Sequence, residues 1–309
     1  MFSTRTPDID MGMLTIRLMG GLGNQMFQYA FGRRLVAAGH TVMFDTENGF
    51  RYDPYGRRYA LDAFSVQVGR AEPQDIPLGM NWRTPWHRMA KAGWLAVPRR
   101  WQRVVYERMP FQFDESAVSG ENDSAYYVGH WQNEGYFLKI RDMLKREFSV
   151  RPMPNARTLS LLKDMSECRA VSVHVRRYQD VGADGRVIRE AQKYHEACAV
   201  DYYRRAVERI GCRPGTVCFV FSDNPQWAKA NLNLPVPCRY VADLCQCSDA
   251  EEVLLMASCQ HHVISNSSFS WWGAWLGRDG QKVIVAPRMW MRGIPENAVD
   301  ICPPEWVRI

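Results

Sequence analysis

Nowhere in the 309 residues does an apolar run approach the roughly 18–20 residues that a bilayer-crossing helix needs. The first ten residues hold two acids and no apolar h-region, so no secretory signal is expected there. Cysteine is missing from the first half of the chain. All nine lie between Cys168 and Cys302, with no CxxC pair and with members such as Cys218 inside strand-like runs. That pattern argues against a disulfide framework, and reduced, cytoplasmic thiols are expected. Cys238, Cys245 and Cys247, taken with His261 and His262, have the spacing of no standard structural zinc site, so no metal is expected. There is no Walker loop, internal repeat or low-complexity tract. At 46% hydrophobic and 23% charged residues, disordered and collagen-like classes are excluded.

Charge of one sign is also scarce, except in one place. The chain is +6 overall, and the window from Trp82 to Arg108 holds seven Lys/Arg and one acid, Glu107, so it carries the whole excess. The rest is neutral, unlike a nucleic-acid binder with a broad basic face. Four of the 11 tryptophans (Trp82, Trp86, Trp94, Trp101) share this segment. It reads either as a peripheral contact with an anionic membrane or lipid-linked ligand, or as a solvated helix bounded by Pro85 and Pro98 with its Trp packed inward.

Short β-branched runs alternate with helical stretches. Residues 14–19, 41–45 and 125–131 read as strands, with helices after residue 25 and over 134–148. Further on, strands are predicted at 170–175, 216–221, 238–243, 261–265 and 282–286, with helices near 196–210, 225–231, 248–260 and 269–277. Such alternation implies βαβ units and parallel sheets. The break at RPMPN, 151–155, suggests an N-terminal Rossmann-like domain over 1–152 and a C-terminal one over 153–309.

Ligands of parallel sheets bind beyond the carboxyl ends of the strands, so the polar residues there are the informative ones. GGLGNQ, from Gly20 to Gln25, joins a strand to a helix; Gly21 and Gly23 allow close backbone approach, and Asn24 either caps the helix or faces a ligand. With Asp45 about twenty residues on, the same unit resembles half of a dinucleotide fingerprint, which makes an NAD-linked oxidoreductase the alternative function; Met26 stands where its third Gly belongs. In VSVHVRR, His174 and Arg176 share one face of a strand end and Arg177 follows, an arrangement suited to a diphosphate or else to a carboxylate. Asp223 ends another strand, where it or Asn224 caps the helix opening at Pro225, or where Asp223 meets a ribose or guanine. Asn266, Ser267 and Ser268 precede an aromatic helix and offer donors to phosphate, or simply an N-cap; Trp271, Trp272 and Trp275 read as core. Phosphate-binding signals without a Walker loop or clustered metal ligands point to nucleotide-sugar transfer, in which Arg and helix N-termini stabilise a departing diphosphate.

Together GGLGNQMFQYAFG, GHWQNEGYF (129–137), HVRR (174–177), FSDNPQW (221–227) and SNSSFSWWGAWL (265–276) resemble the bacterial α-1,2-fucosyltransferases of glycosyltransferase family 11, in that family's order from residue 14 to about 290. The resemblance implies a GT-B fold, α/β with two facing Rossmann-like domains. It implies inverting transfer of L-fucose from GDP-β-L-fucose to the 2-hydroxyl of a galactose, in an oligosaccharide or a lipid-linked polysaccharide unit, with neither metal nor cofactor. By the same resemblance His174, Arg176 and Arg177 form the donor motif, with Arg176 on the β-phosphate. Ser267, Ser268 and Phe269 form a second donor block, Asn24 faces the reaction centre, Asp223 lies on the guanosine side, and Trp131 and Gln132 lie on the acceptor side. The family's acid after the Arg pair is Gln179 here, with Asp180 one residue later. His174 and Asp180 are therefore the candidate bases. A third reading, a non-catalytic glycan- or membrane-binding protein, would use only the Trp/Arg segment.

Overall fold

In the computed structural model the described residues are 12–77, 89, 91–93, 102–119, 124–178, 190–278 and 280–309. Among them ten strands form two sheets whose paired strands all run parallel. The first half supplies β1 (Met13–Arg17), α1 (Leu22–Ala37), β2 (Thr41–Asp45), β3 (Val104–Tyr106), β4 (Ala125–Val128) and α2 (Arg141–Glu147). Its sheet has the order β2-β1-β4-β3. After α3 (Ala156–Ser166) come β5 (Arg169–Val175), α4 (Glu190–Tyr194), α5 (Val200–Ile210), β6 (Thr216–Ser222) and α6 (Pro225–Asn231). Then follow β7 (Cys238–Tyr240), α7 (Val241–Leu244), α8 (Asp249–Ser258), β8 (His261–Val263), α9 (Ser268–Trp275), β9 (Ile284–Ala286) and β10 (Val307–Arg308). The second sheet runs β10-β9-β8-β5-β6-β7. This is the α/β architecture of two parallel sheets that the alternation implies.

Period-two alternation sets the central strand. Val171, Val173 and Val175 bury one face of β5 against Tyr203, Ala206 and Val207 of α5, leaving Ser172 and His174 on the other. The tryptophans of α9 are core, as predicted. Phe27 of α1 meets Trp271 and Trp272 of α9 at ring-centroid distances of 4.5 and 4.9 Å, so the two halves share one apolar core. Each indole N–H is also satisfied: Trp272 donates to Gly23 O, Trp271 to Ile301 O, and Trp275 to Glu134 Oε2. The C-terminal stretch crosses back over the first half, where Asn133 Nδ2 donates to Asp300 O at 2.6 Å. Residues of the expected 153–309 unit thus also cover the 1–152 unit.

Several sequence expectations need correction. The helix expected over 134–148 is two 3₁₀ turns followed by α2, because the adjacent aromatics Tyr136 and Phe137 are both fully buried and the backbone bends at Phe137 to seat them. The strand expected at 238–243 stops at Tyr240 and turns into α7. Strand β3 lies within the basic segment, where its few residues carry no alternation, and α3 was not anticipated. Asn155 caps α3, accepting from the N–H groups of Arg157 and Thr158. Cys245 and Cys247, expected reduced, are paired as a disulfide; their Cα atoms stand 5.4 Å apart, within the range a bridge requires. His262 Nδ1 bonds Ser172 Oγ and His261 Nδ1 accepts from Val283 N. Most of Trp82–Arg108, including its four tryptophans, lies outside the described residues, and with it the proposed membrane contact. Among the described residues no helix is long and apolar enough to cross a membrane.

Candidate active site

Three residues selected from the sequence meet at the seam between the halves. The chain leaves β1 through Gly20 at φ +78°, a left-handed conformation that suits glycine, and a Cβ there would also lie 2.6 Å from Asn24 Nδ2. Gly21 is the N-cap of α1 and supplies no side-chain hydrogen bond. Asn24 does not cap the helix. Its Oδ1 accepts from Gln132 Nε2 at 2.8 Å and from Ser268 Oγ at 2.7 Å, joining α1, the loop after β4 and the start of α9. Gly23, expected to open the backbone to a donor, serves packing instead. A Cβ on it would stand 2.5 Å from the carbonyl carbon of Ser268, so α1 and α9 touch backbone to backbone there.

Gln25 ties a further loop to this turn by donating to Gly20 O and Arg58 O and accepting from Ala60 N. The tie sets Arg57 beside Gly21, with its guanidinium over the Tyr55 ring at 4.1 Å. Arg57 escaped the sequence reading because it stands among turn formers with no motif around it. Asp45 does not await a ribose. It is 1% exposed and accepts from the N–H groups of Glu47 and Asn48 and from Tyr126 OH, which removes the basis of the oxidoreductase alternative.

Across the seam, β5 and β6 bring Arg176, Arg177 and Asp223 together. Arg176 Nη1 lies 3.1 Å from Asp223 Oδ2, while Asp223 Oδ1 accepts from Arg177 N at 2.8 Å. The Arg177 guanidinium stacks on Trp227 at 3.7 Å. Asn224, not Asp223, caps α6, accepting from Trp227 N. The carboxylate is thereby left to the arginine, and the bridge lies within one half. His174 sits beneath, 5% exposed, sharing a 2.7 Å hydrogen bond between its Nδ1 and Ser265 Oγ. Burial, then the charge of Arg176, pulls its pKa down to about 3, so this imidazole is neutral.

The polar run before α9 divides its work. Asn266 is 2% exposed: its Nδ2 donates to Glu196 O and Trp290 O, and its backbone carbonyl accepts from Tyr178 OH. It was selected as a donor contact, but its amide is consumed in bracing loops. Ser267 caps α9, accepting from Phe269 N. Ser268 bonds Asn24, and Phe269 packs against His174 with ring centroids 5.8 Å apart. Beside Arg177 a cavity of about 260 Å³ is lined by Tyr178, Gln192, His195, Glu196 and Arg292. Tyr178 and His195 stack there at 4.9 Å.

Trp131, selected for the acceptor side, is fully buried and stacks on Phe31 at 4.3 Å. Its backbone φ of +55° turns the indole back under α1. His130, the exposed neighbour inside the same block, was missed because the resemblance marks only Trp131 and Gln132 there. Glu107, also missed, accepts the N–H groups of His130 at 2.8 Å and Trp131 at 3.1 Å. Burial pushes Glu107 up to about 7, against the pull of those N–H groups and of Lys91. Gln179 and Asp180 lie outside the described residues.

The family model for glycosyl transferase family 11 matches residues 91–309. The chain is 30% identical to an Escherichia coli alpha-1,2-colitosyltransferase over 97% of its own length and 99% of the relative's. It is 26% identical to the Escherichia coli O-antigen biosynthesis glycosyltransferase WbnK, covering 94% and 99%. To the mouse galactoside 2-alpha-L-fucosyltransferase Sec1 it is 22% identical, covering 86% and 64%. A family model over most of the chain and a relative matched nearly end to end agree: the chain belongs to glycosyltransferase family 11.

Proposed function

We propose that the protein is an inverting α-1,2-fucosyltransferase that moves L-fucose from GDP-β-L-fucose to the 2-hydroxyl of a galactose in an oligosaccharide or lipid-linked polysaccharide unit. The observation that carries the reading is the Arg176–Asp223–Arg177 cluster at the ends of β5 and β6, with the Asn24–Gln132–Ser268 bridge joining the two halves. Attack on the anomeric carbon breaks its bond to the β-phosphate oxygen, and the electron pair leaves on the diphosphate. Two guanidiniums meet that charge as it develops; each stays protonated and binds phosphate oxygens in a fork. In this reading no metal takes part. Asn24, held by two hydrogen bonds, orients the sugar without moving during the reaction.

The linkage and the galactoside acceptor are supported by the names of the relatives, one an α-1,2 transferase and one a galactoside 2-α-L-fucosyltransferase. A second donor has a specific warrant, since the relative at 30% identity is named for colitose. A donor panel of GDP-fucose and a colitosyl donor, run against galactosides in EDTA and read by mass spectrometry, separates the two. Faster transfer from GDP-fucose is expected. Transfer from the colitosyl donor alone replaces the donor assignment, and loss of activity in EDTA that added metal restores removes the metal-free step.

A further inference from the structure

An inverting transfer needs a group to take the proton of the attacking hydroxyl. The two sequence-based candidates leave that role open. His174 is nearly closed to solvent with Nδ1 committed to Ser265, and Asp180 lies outside the described residues. At the carboxyl end of β4, a Cβ on Gly129 would lie 2.5 Å from Glu107 Cβ, and Trp131 turns down into the core. His130 between them turns out. Its backbone N–H is fixed by Glu107, its imidazole is exposed, and no hydrogen bond from that ring occurs among the described residues. Two positions on, Gln132 reaches Asn24 and so Ser268. The groups whose charge His130 feels come from both halves: Arg57 beside the Gly-rich turn and His195 beside the Arg177 cavity, with Arg176 acting on His195 in turn.

We propose that His130 is the catalytic base of the transfer and that Glu107 is its positioning residue. The inference rests on the glycosyl-transfer reading above. As the acceptor oxygen bonds to the anomeric carbon, the carbon–diphosphate bond breaks with its electron pair leaving on the diphosphate. The hydroxyl proton passes to a ring nitrogen of His130 and from there to solvent. The charge of Arg57, and of His195 when protonated, disfavours a positive charge on this exposed ring, so it is neutral near pH 7 and ready to accept a proton. The carboxylate of Glu107 faces the backbone N–H of His130, not its ring.

The test uses the full chain with GDP-fucose, or with whichever donor the wild type accepts, and a galactoside. His130→Ala is expected to lower kcat for transfer about 100-fold or more, with the Kd for GDP and the melting temperature unchanged. Added imidazole is expected to restore part of the rate to His130→Ala, which a merely structural role would not allow. Glu107→Gln is expected to lower kcat more than it raises KM and to move the acid limb of the pH profile. A folded, GDP-binding His130→Ala enzyme within about threefold of wild-type kcat, with the same acid limb and no response to imidazole, overturns the assignment. A wild type that binds GDP and transfers neither sugar overturns the parent reading, and this one with it.

Discussion

Asp223 is the counter-charge of Arg176, and the two stand 3.1 Å apart with only 20% and 15% of their side chains exposed. If Arg176 holds the diphosphate as proposed, removing the guanidinium takes one or two charge-assisted bonds of roughly 1.5–3 kcal/mol each from it and leaves a largely buried carboxylate with only the Arg177 N–H. Arg176→Ala is accordingly expected to weaken GDP binding by at least about tenfold, measured by calorimetry. Arg176→Lys should recover the charge but not the fork, and so only part of the affinity. Wild-type GDP affinity in the Ala variant would remove the phosphate assignment. At this scale the sequence was informative where a polar residue ends a strand: Arg176, Arg177 and Asp223 stand together, and Asn24 meets Gln132. It misled where a polar or aromatic residue in the same motif is spent inward. Asn266 and Trp131 sit in blocks as distinctive as the others, yet one braces loops and the other packs on Phe31. Nothing in the spacing separates those uses, because a backbone reversal such as that at Trp131 decides which way a side chain points.

Between elements, α1 and α9 touch backbone to backbone at Gly23. Alanine is the better helix former by about 1 kcal/mol, but its methyl would need space occupied by the Ser268 backbone. Gly23→Ala is therefore expected to destabilise the fold by about 1–3 kcal/mol, read as a lowered midpoint in urea. It should also weaken transfer, because Ser268 and Asn24 are displaced with α9. A variant as stable and as active as wild type would contradict this packing. The strands and long helices were legible because apolar periodicity survives in them. Strand β3 was not, since three residues carry too little pattern, nor was the broken 134–148 stretch, where two adjacent aromatics must both be buried. The close approach at Gly23 imitates a ligand-binding glycine in sequence and differs only in what it meets.

For the whole molecule, four histidines set the response to acid. His174, His261 and His262 are drawn below their ordinary value of 6.5, to about 3, 4 and 3, and His195 below it as well, all first by burial. Unfolding lets each take up a proton below about pH 6.5, so their contribution to stability is present above that pH and is lost as pH falls toward 3–4. Glu107 and Glu252, raised to about 7 by burial, oppose this, because each holds its proton more tightly when folded and its contribution grows as pH falls from 7 to 4.5. Glu134, also raised by burial, joins them, and four imidazoles against three carboxyls leave a net loss. The thermal midpoint is expected to fall from pH 6.5 to 4.5, and a midpoint that rises across that window contradicts the reading. The central claim, fucosyl transfer by a seam of arginines and amides between two parallel sheets, is tested most directly by one assay. GDP-fucose and a β-galactoside are incubated with the enzyme in EDTA, and the product is read by mass spectrometry and linkage analysis. The account predicts a single fucose added in α linkage at the galactose 2-hydroxyl; GDP-fucose that neither binds nor reacts with any galactoside would contradict it.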